Sequence, residues 1–195
     1  MNGTLVVGSL LGIGLVLLIA YVVGVYNLLV RLSNNIDKAW SNIDVILKQQ
    51  HDELPKLVEV CNSYMVHERE TLEAVIKARN AYGASRDIND KAKAENQVAG
   101  ALGQLFAVAE QYPDLKANQE FLAVQQRISI LESTIADRRE FYNESVNLYN
   151  IAIQQIPAVW VAQQTSYTAR PLLTVAASDR KAAPLVFANR MRPAA

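Results

Sequence analysis

A single cysteine, Cys61, stands in a chain of 195 residues. That excludes an internal disulfide and any metal site built on several thiolates. Histidine is nearly as scarce, with two copies, His51 and His67. The pair His67-Glu68 would suit a zinc-protease helix only with a second histidine one turn on, and position 71 is threonine. His51 and His67 are too far apart along a helix to share a metal. No glycine-rich phosphate loop follows a strand, and no Ser or Cys occupies a nucleophile elbow. The expectation is a protein that is not an enzyme and has no cofactor and no bound metal. Clustered Lys and Arg are also missing from the middle of the chain, which argues against a nucleic-acid surface.

The most telling absence is charge. Residues 1–30 carry none, and within Leu5 to Val30 the run from Leu5 to Val23 is almost wholly apolar, interrupted by glycines and Ser9. A hydrocarbon core is crossed by about 20 apolar residues in helical form, and only a helix satisfies its own backbone groups in lipid. A cleavable leader wants a positive start and a small-residue cleavage site. Met1-Asn2-Gly3-Thr4 has no cation, and Val25-Tyr26-Asn27 gives no such site. The run therefore reads as an uncleaved anchor. Arg31, Lys38 and Lys48 follow it and no Lys or Arg precedes it, which predicts a short N-terminus outside and the soluble part in the cytoplasm. Gly8 and Gly12 form a Gly-x-x-x-Gly element, and Ala20 and Gly24 repeat the spacing. Small residues let two helix backbones approach closely, so these four are candidates for self-association of the span; the bland alternative is that glycine is simply common in spans.

Formal charge is zero overall but unevenly spread. In residues 157–195, Arg170, Arg180, Lys181, Arg190 and Arg192 oppose only Asp179, giving +4 and leaving −4 for the middle. A basic tail either meets anionic headgroups or is a solvated end.

Beyond the anchor the pattern is helical. Ile36, Trp40, Ile43 and Leu47 recur at steps of four, three and four, a coiled-coil-like seam with no Pro or Gly between it and the span. The seam resumes through Leu54, Leu57, Cys61, Tyr64 and Glu68. Pro55 predicts either a kink, since it removes a donor and crowds the turn before it, or the first residue of a new helix. The stripe ends near Tyr82-Gly83. Ser85-Arg86-Asp87 is a turn, and a helix is expected over about 88–111. Its small centre, Ala99-Gly100-Ala101-Leu102-Gly103, predicts a closely packed neighbour. Tyr112-Pro113-Asp114 breaks it. Phe121, Val124, Ile128, Leu131 and Ile135, then Tyr142, Val146, Tyr149, Ile153 and Ile156, predict one long helix to Pro157. Short connections force antiparallel neighbours. The fold expected is all-α: a transmembrane helix over 1–30 running on into an elongated antiparallel four-helix up-down bundle over 31–156, then an irregular, Pro-punctuated basic tail over 157–195. The tail's short apolar pieces are free to dock on the bundle, on a second subunit or at the headgroups.

Several pieces are familiar in combination. They are Tyr26-Asn27, the run Trp40 to Glu59, His67-Glu68, Ala78-Arg79, Glu110-Gln111-Tyr112-Pro113-Asp114-Leu115-Lys116-Ala117, and Glu132 to Pro157 with Tyr142-Asn143 and Tyr149-Asn150. Together they resemble the LemA family of bacterial membrane proteins over nearly the whole chain. The resemblance implies a short external N-terminus, one span in the bacterial inner membrane and a cytoplasmic four-helix bundle, with no enzymatic activity established. It also brings in the MamQ-type relatives, which belong to the machinery that builds magnetosome membranes. Ser145 stands where the family usually has alanine, and the tail after Pro157 matches poorly.

Two sets of bundle residues are candidate sites. Glu68, Arg79, Glu110, Glu132 and Arg139 form either a polar groove for a ligand or partner, or an internal network that selects which helices meet. Tyr142, Asn143, Tyr149 and Asn150 repeat at seven residues and share a face, either as core with bonded hydroxyls or as a partner-binding stripe. Cys61, on the seam, reads as a small core residue. The function expected is a membrane-anchored scaffold that oligomerises and organises the bilayer or recruits an unidentified protein partner. The alternative is a single-span sensor or regulatory subunit whose bundle responds to a ligand.

Overall fold

The computed structural model describes residues 2–173, and these are helical with no strand among them. Helix α1 spans Asn2–Asn62 without interruption. Its first part is the apolar run, exposed from Leu5 to Gly24 and belonging to the one helix among the described residues long and apolar enough to cross a membrane. Ser9 spends its hydroxyl inside the helix, donating to the Val6 carbonyl at 2.9 Å. From Val25 onward the other elements begin to cover α1, and Leu29, Ile36, Ile43 and Leu47 are buried as the seam requires.

Pro55 neither ends α1 nor starts a helix, contrary to the second of the two expectations for it. Proline at this position leaves the His51 carbonyl, four residues earlier, without its helical donor. Arg79 supplies one: its Nε–H donates to the His51 carbonyl at 3.2 Å. The reversal falls later, at residues 63–68, where Met65 is fully buried under the turn. Helix α2 is Arg69–Ala84. Asp87 caps helix α3, Ile88–Ala109, by accepting from the Asn89 amide at 3.0 Å. Pro113 opens a short helix α4, Pro113–Ala117. Asn118 then caps helix α5, Gln119–Ala152, accepting from the Phe121 amide at 2.9 Å. Helix α5 is shorter than its stripe predicted: it stops before Ile156, which is exposed rather than on the seam. Helix α6, Ala158–Gln164, follows.

Contacts give the packing. Helix α1 lies along α5 and α2 along α3, with α1 also touching α2 and α6. Asp44 meets Tyr82 and His51 meets Arg79, while Trp40 meets Tyr142 and Glu53 meets Arg127, so α2 and α5 each run opposite to α1. Gly100 and Gly103 do not admit a neighbour as expected. Both are exposed with nothing near the place a Cβ would take, and α3 buries Val98, Leu102 and Leu105 instead.

Two apolar cores result. One joins Leu54, Leu57 and Cys61 of α1 to Leu72, Val98, Leu105, Phe121 and Ile128. The other, nearer the apolar run, joins Leu29 to Leu47 with Ile135, Tyr142, Tyr149, Ala158 and Ala162. Cys61 is buried, and burial pushes its thiol up to about 11.

Arg79→Met in the full chain in detergent is expected to cost about 1–3 kcal/mol, because a part-buried carbonyl loses its donor. In a Pro55→Ala background the backbone N–H at 55 takes over that carbonyl, and the cost shrinks. Equal losses in both backgrounds, read by chemical denaturation, would show that Arg79 acts in another way.

Candidate functional site

Between the two cores lies a polar layer. Gln50, His51, Glu53 and Glu95 are all buried, Gln50 at 0% exposure and Glu95 at 3%. On α1 they fill the gap in the seam between Leu47 and Leu54. His51 Nε2 lies 3.7 Å from Glu95 Oε2, and its ring stacks on Tyr82 with centroids 4.0 Å apart. The Tyr82 hydroxyl donates to Asp44 Oδ1 at 2.9 Å, and Lys91 Nζ reaches the same oxygen at 2.5 Å. Burial, and then the Asp44 acceptor, push the Tyr82 phenol above its ordinary range. Burial pushes the Asp44 carboxyl up, but the hydrogen bonds from Lys91 and Tyr82 and the charges of Lys91 and Lys48 outweigh it and hold it below the usual range. Glu53 is paired from outside by Arg127 at 2.9 Å and Lys56 at 3.1 Å. The Gln50 amide and Glu95 Oε2 find no hydrogen-bond partner among the described residues. Within this layer α1 meets α2 where His51 and Asp44 face Tyr82, and α3 where Asp44 pairs with Lys91 and His51 approaches Glu95.

The second site is on α5. Tyr142 and Tyr149 are buried, Tyr142 edge-on to Trp40. The two asparagines beside them hold the chain after α6. Asn150 accepts from the Arg170 amide at 2.9 Å and donates to the Arg170 carbonyl at 2.9 Å. Asn143 does the same to Leu173, at 2.8 and 3.0 Å. The Tyr149 hydroxyl donates to the Thr168 carbonyl at 3.0 Å. Residues 167–173 therefore run back along α5, gripped by their backbone. The seven-residue repeat places both tyrosines in the core, and the partner of each asparagine is this chain's own peptide.

The five charged candidates fall in different places. Glu68 accepts from the Tyr112 hydroxyl at 3.1 Å, Arg79 serves the His51 carbonyl, and Glu110 pairs with Lys116 at 2.6 Å. Glu132 and Arg139 do come together, lining a groove of about 610 Å³ between α3 and α5 with Glu95 and Asn143. A second groove, of about 420 Å³, lies between α1 and α2 and is lined by Pro55, Val58, Leu72 and Arg79. Gly8, Gly12 and Gly24 have open space where a Cβ would stand. Helical periodicity sets the Ala20 and Gly24 pair about 120° around α1 from Gly8 and Gly12. Arg170 is exposed, while Arg180, Lys181, Arg190 and Arg192 lie outside the described residues. Gln50 and Glu95 were not among the candidates read from the sequence, and His51 was weighed only as a metal ligand. Their signal was the seam itself, since positions 50 and 51 sit where the stripe between Leu47 and Leu54 needs a side chain.

The profile of the LemA family matches residues 39–187. The chain belongs to the LemA family. Protein LemA of Metamycoplasma hominis is 31% identical over 144 residues, 73% of this chain and 65% of that protein. Magnetosome protein MamQ 1 of Paramagnetospirillum magneticum is 35% identical over 74 residues, and magnetosome protein MamQ of Magnetospirillum gryphiswaldense 32% over 74 residues. Each of these two matches covers 38% of this chain and 27% of the relative. The chain thus spans about a quarter of the MamQ proteins and just under two thirds of the mycoplasmal LemA. With its apolar helix, this LemA-family chain is a membrane-associated helical protein.

Two outcomes test the sites of this LemA-family chain. Gln50→Leu should stabilise it by about 1 kcal/mol, because an unpaired buried amide is replaced by a side chain of similar size; a lower melting temperature would contradict this. Asn143→Ala with Asn150→Ala should free residues 167–173, raising amide exchange there while α5 stays protected. Unchanged exchange would show that the asparagines do not hold the segment.

Proposed function

We propose that this chain is a non-enzymatic scaffold of the bacterial inner membrane. In this reading its N-terminus is short and external, and an antiparallel four-helix up-down bundle of α1, α2, α3 and α5 stands in the cytoplasm. It acts by self-association and by contact with the bilayer or with protein partners. The observation that carries the reading is the continuity of α1: the apolar run and the first helix of the folded part are one helix with no break. A rotation or displacement of the span is then passed directly to the bundle. Self-association is supported by the open surface at Gly8 and Gly12 and by the shallow apolar dent beside Gly12, lined by Ser9, Ile13 and Val16. The magnetosome proteins among the relatives support a role at a membrane.

A second reading, a single-span sensor, is favoured by the groove beside Pro55. It requires no self-association, so one experiment separates the two. Amine-reactive crosslinking of the full chain in membranes should yield multimers, and Gly8→Ile with Gly12→Ile should reduce them several-fold. Monomers alone, across crosslinker lengths, would refute the scaffold's oligomer.

A further inference from the structure

Helix α5 descends along α1 toward the apolar run. Trp40 faces Tyr142, and Leu29 shares its core with Ile153. The chain turns round over residues 153–167 and then climbs back along α5, past Asn150 and Asn143. That turn, with α6 inside it, is level with Val25 to Leu32. Ala158 and Ala162 of α6 are buried in the core that contains Leu29, against which Val25 and Leu32 also pack. The Tyr167 ring is 6.4 Å from that of Tyr26. Val25 is also the first residue of α1 that anything else covers. So α6 sits where the apolar run gives way to Arg31, the first charged residue of the chain.

The outer side of this turn carries two large apolar side chains among the exposed, uncharged Gln154, Gln155, Gln163 and Gln164. Ile156 is 75% exposed and Trp160 62%, and the two are four residues apart. Leu148 and Ile151 at the end of α5, and Tyr26 and Leu28 on α1, are exposed at the same end. Arg31 and Arg170 are exposed at this level too. Exposed aromatic and aliphatic side chains with nearby cations, at the depth where a span leaves the hydrocarbon, match the chemistry of the headgroup layer. Tryptophan and tyrosine concentrate there because an apolar ring with one polar edge suits that boundary.

We propose that α6 and the turn preceding it lie in the headgroup layer of the bilayer, with Ile156 and Trp160 inserted toward the acyl chains as a second membrane contact. The inference rests on residues 5–30 being a span, and the occupant it names is lipid, continuous with the exposed surface of that span.

The chain has two tryptophans, and Trp40 is half-buried against Tyr142. Trp40→Phe therefore leaves Trp160 as the only tryptophan, read by excitation at the red edge where tyrosine does not absorb. In vesicles of lipid brominated high on the acyl chain, Trp160 should lose about half its emission or more, as an interfacial indole does. A control carries Trp40→Phe, Trp160→Phe and Leu15→Trp and reports on the span alone. Trp160→Phe with Trp40 retained should be nearly insensitive to the bromines. Quenching of Trp160 by bromine and not by aqueous iodide supports the proposal. If the Leu15→Trp probe is quenched while Trp160 answers only to iodide, α6 faces water and the proposal falls though the span stands. If Trp160 answers to neither, protein covers it, a second copy included, and the proposal again falls. If the Leu15→Trp probe itself is not quenched by bromolipid, the span reading fails and takes this one with it.

Discussion

The structure depends on one carbonyl being satisfied. Pro55 sits deep in α1, where a proline withholds a donor from the His51 carbonyl. Left alone, that group would favour a break, and α1 would become two helices joined by a hinge. The guanidinium of Arg79 closes the gap from the neighbouring helix. The bond therefore does two things at once. It keeps α1 whole from the apolar run to Asn62, and it fixes where α2 crosses it. Because α1 is whole, its membrane end and its folded end cannot turn independently.

The polar layer has a related effect. Apolar side chains tolerate sliding by a turn, since one leucine packs much like another. Asp44, Tyr82 and Lys91, and His51 with Glu95, do not. A shift of α2 or α3 by one turn would part the buried His51 and Glu95 and leave each without the other in the interior, at a cost of about 1–3 kcal/mol each. The two cores on either side supply the bulk of the stability, and the layer between them decides the alignment. Glu53, anchored by Arg127 across α5, extends the same control to the fourth long helix.

Much of this was legible from spacing alone. The apolar run, the seam through Ile36, Ile43 and Leu47, the turn before α3 and the buried face of α5 all follow from helical periodicity and the placement of proline and asparagine. Other features were not. Periodicity does not distinguish a proline rescued by a distant arginine from one that starts a helix, so Pro55 was open to starting a new helix, whereas α1 runs through it to Asn62 and the reversal lies at residues 63–68. The small residues of α3 predict close packing only if they face inward, and Gly100 and Gly103 face out. The stripe on α5 reads through to Ile156, but α5 stops at Ala152 and the chain turns back to lie on it. The asparagines were visible as a repeat; their work was not, because it is done on backbone atoms some twenty to thirty residues further along.

That last detail bears on how the protein can change over evolutionary time. A grip on amides is indifferent to the side chains attached to them. The exposed residues 168–172 can accept most replacements, proline at 170 excepted, and keep the same course along α5, while Tyr167 and Leu173 are held by their side chains as well; neither asparagine can be exchanged for a residue of other chemistry without losing a paired donor and acceptor. Diversity in the segment that is held, and constancy in the residues that hold it, is the pattern that this arrangement permits.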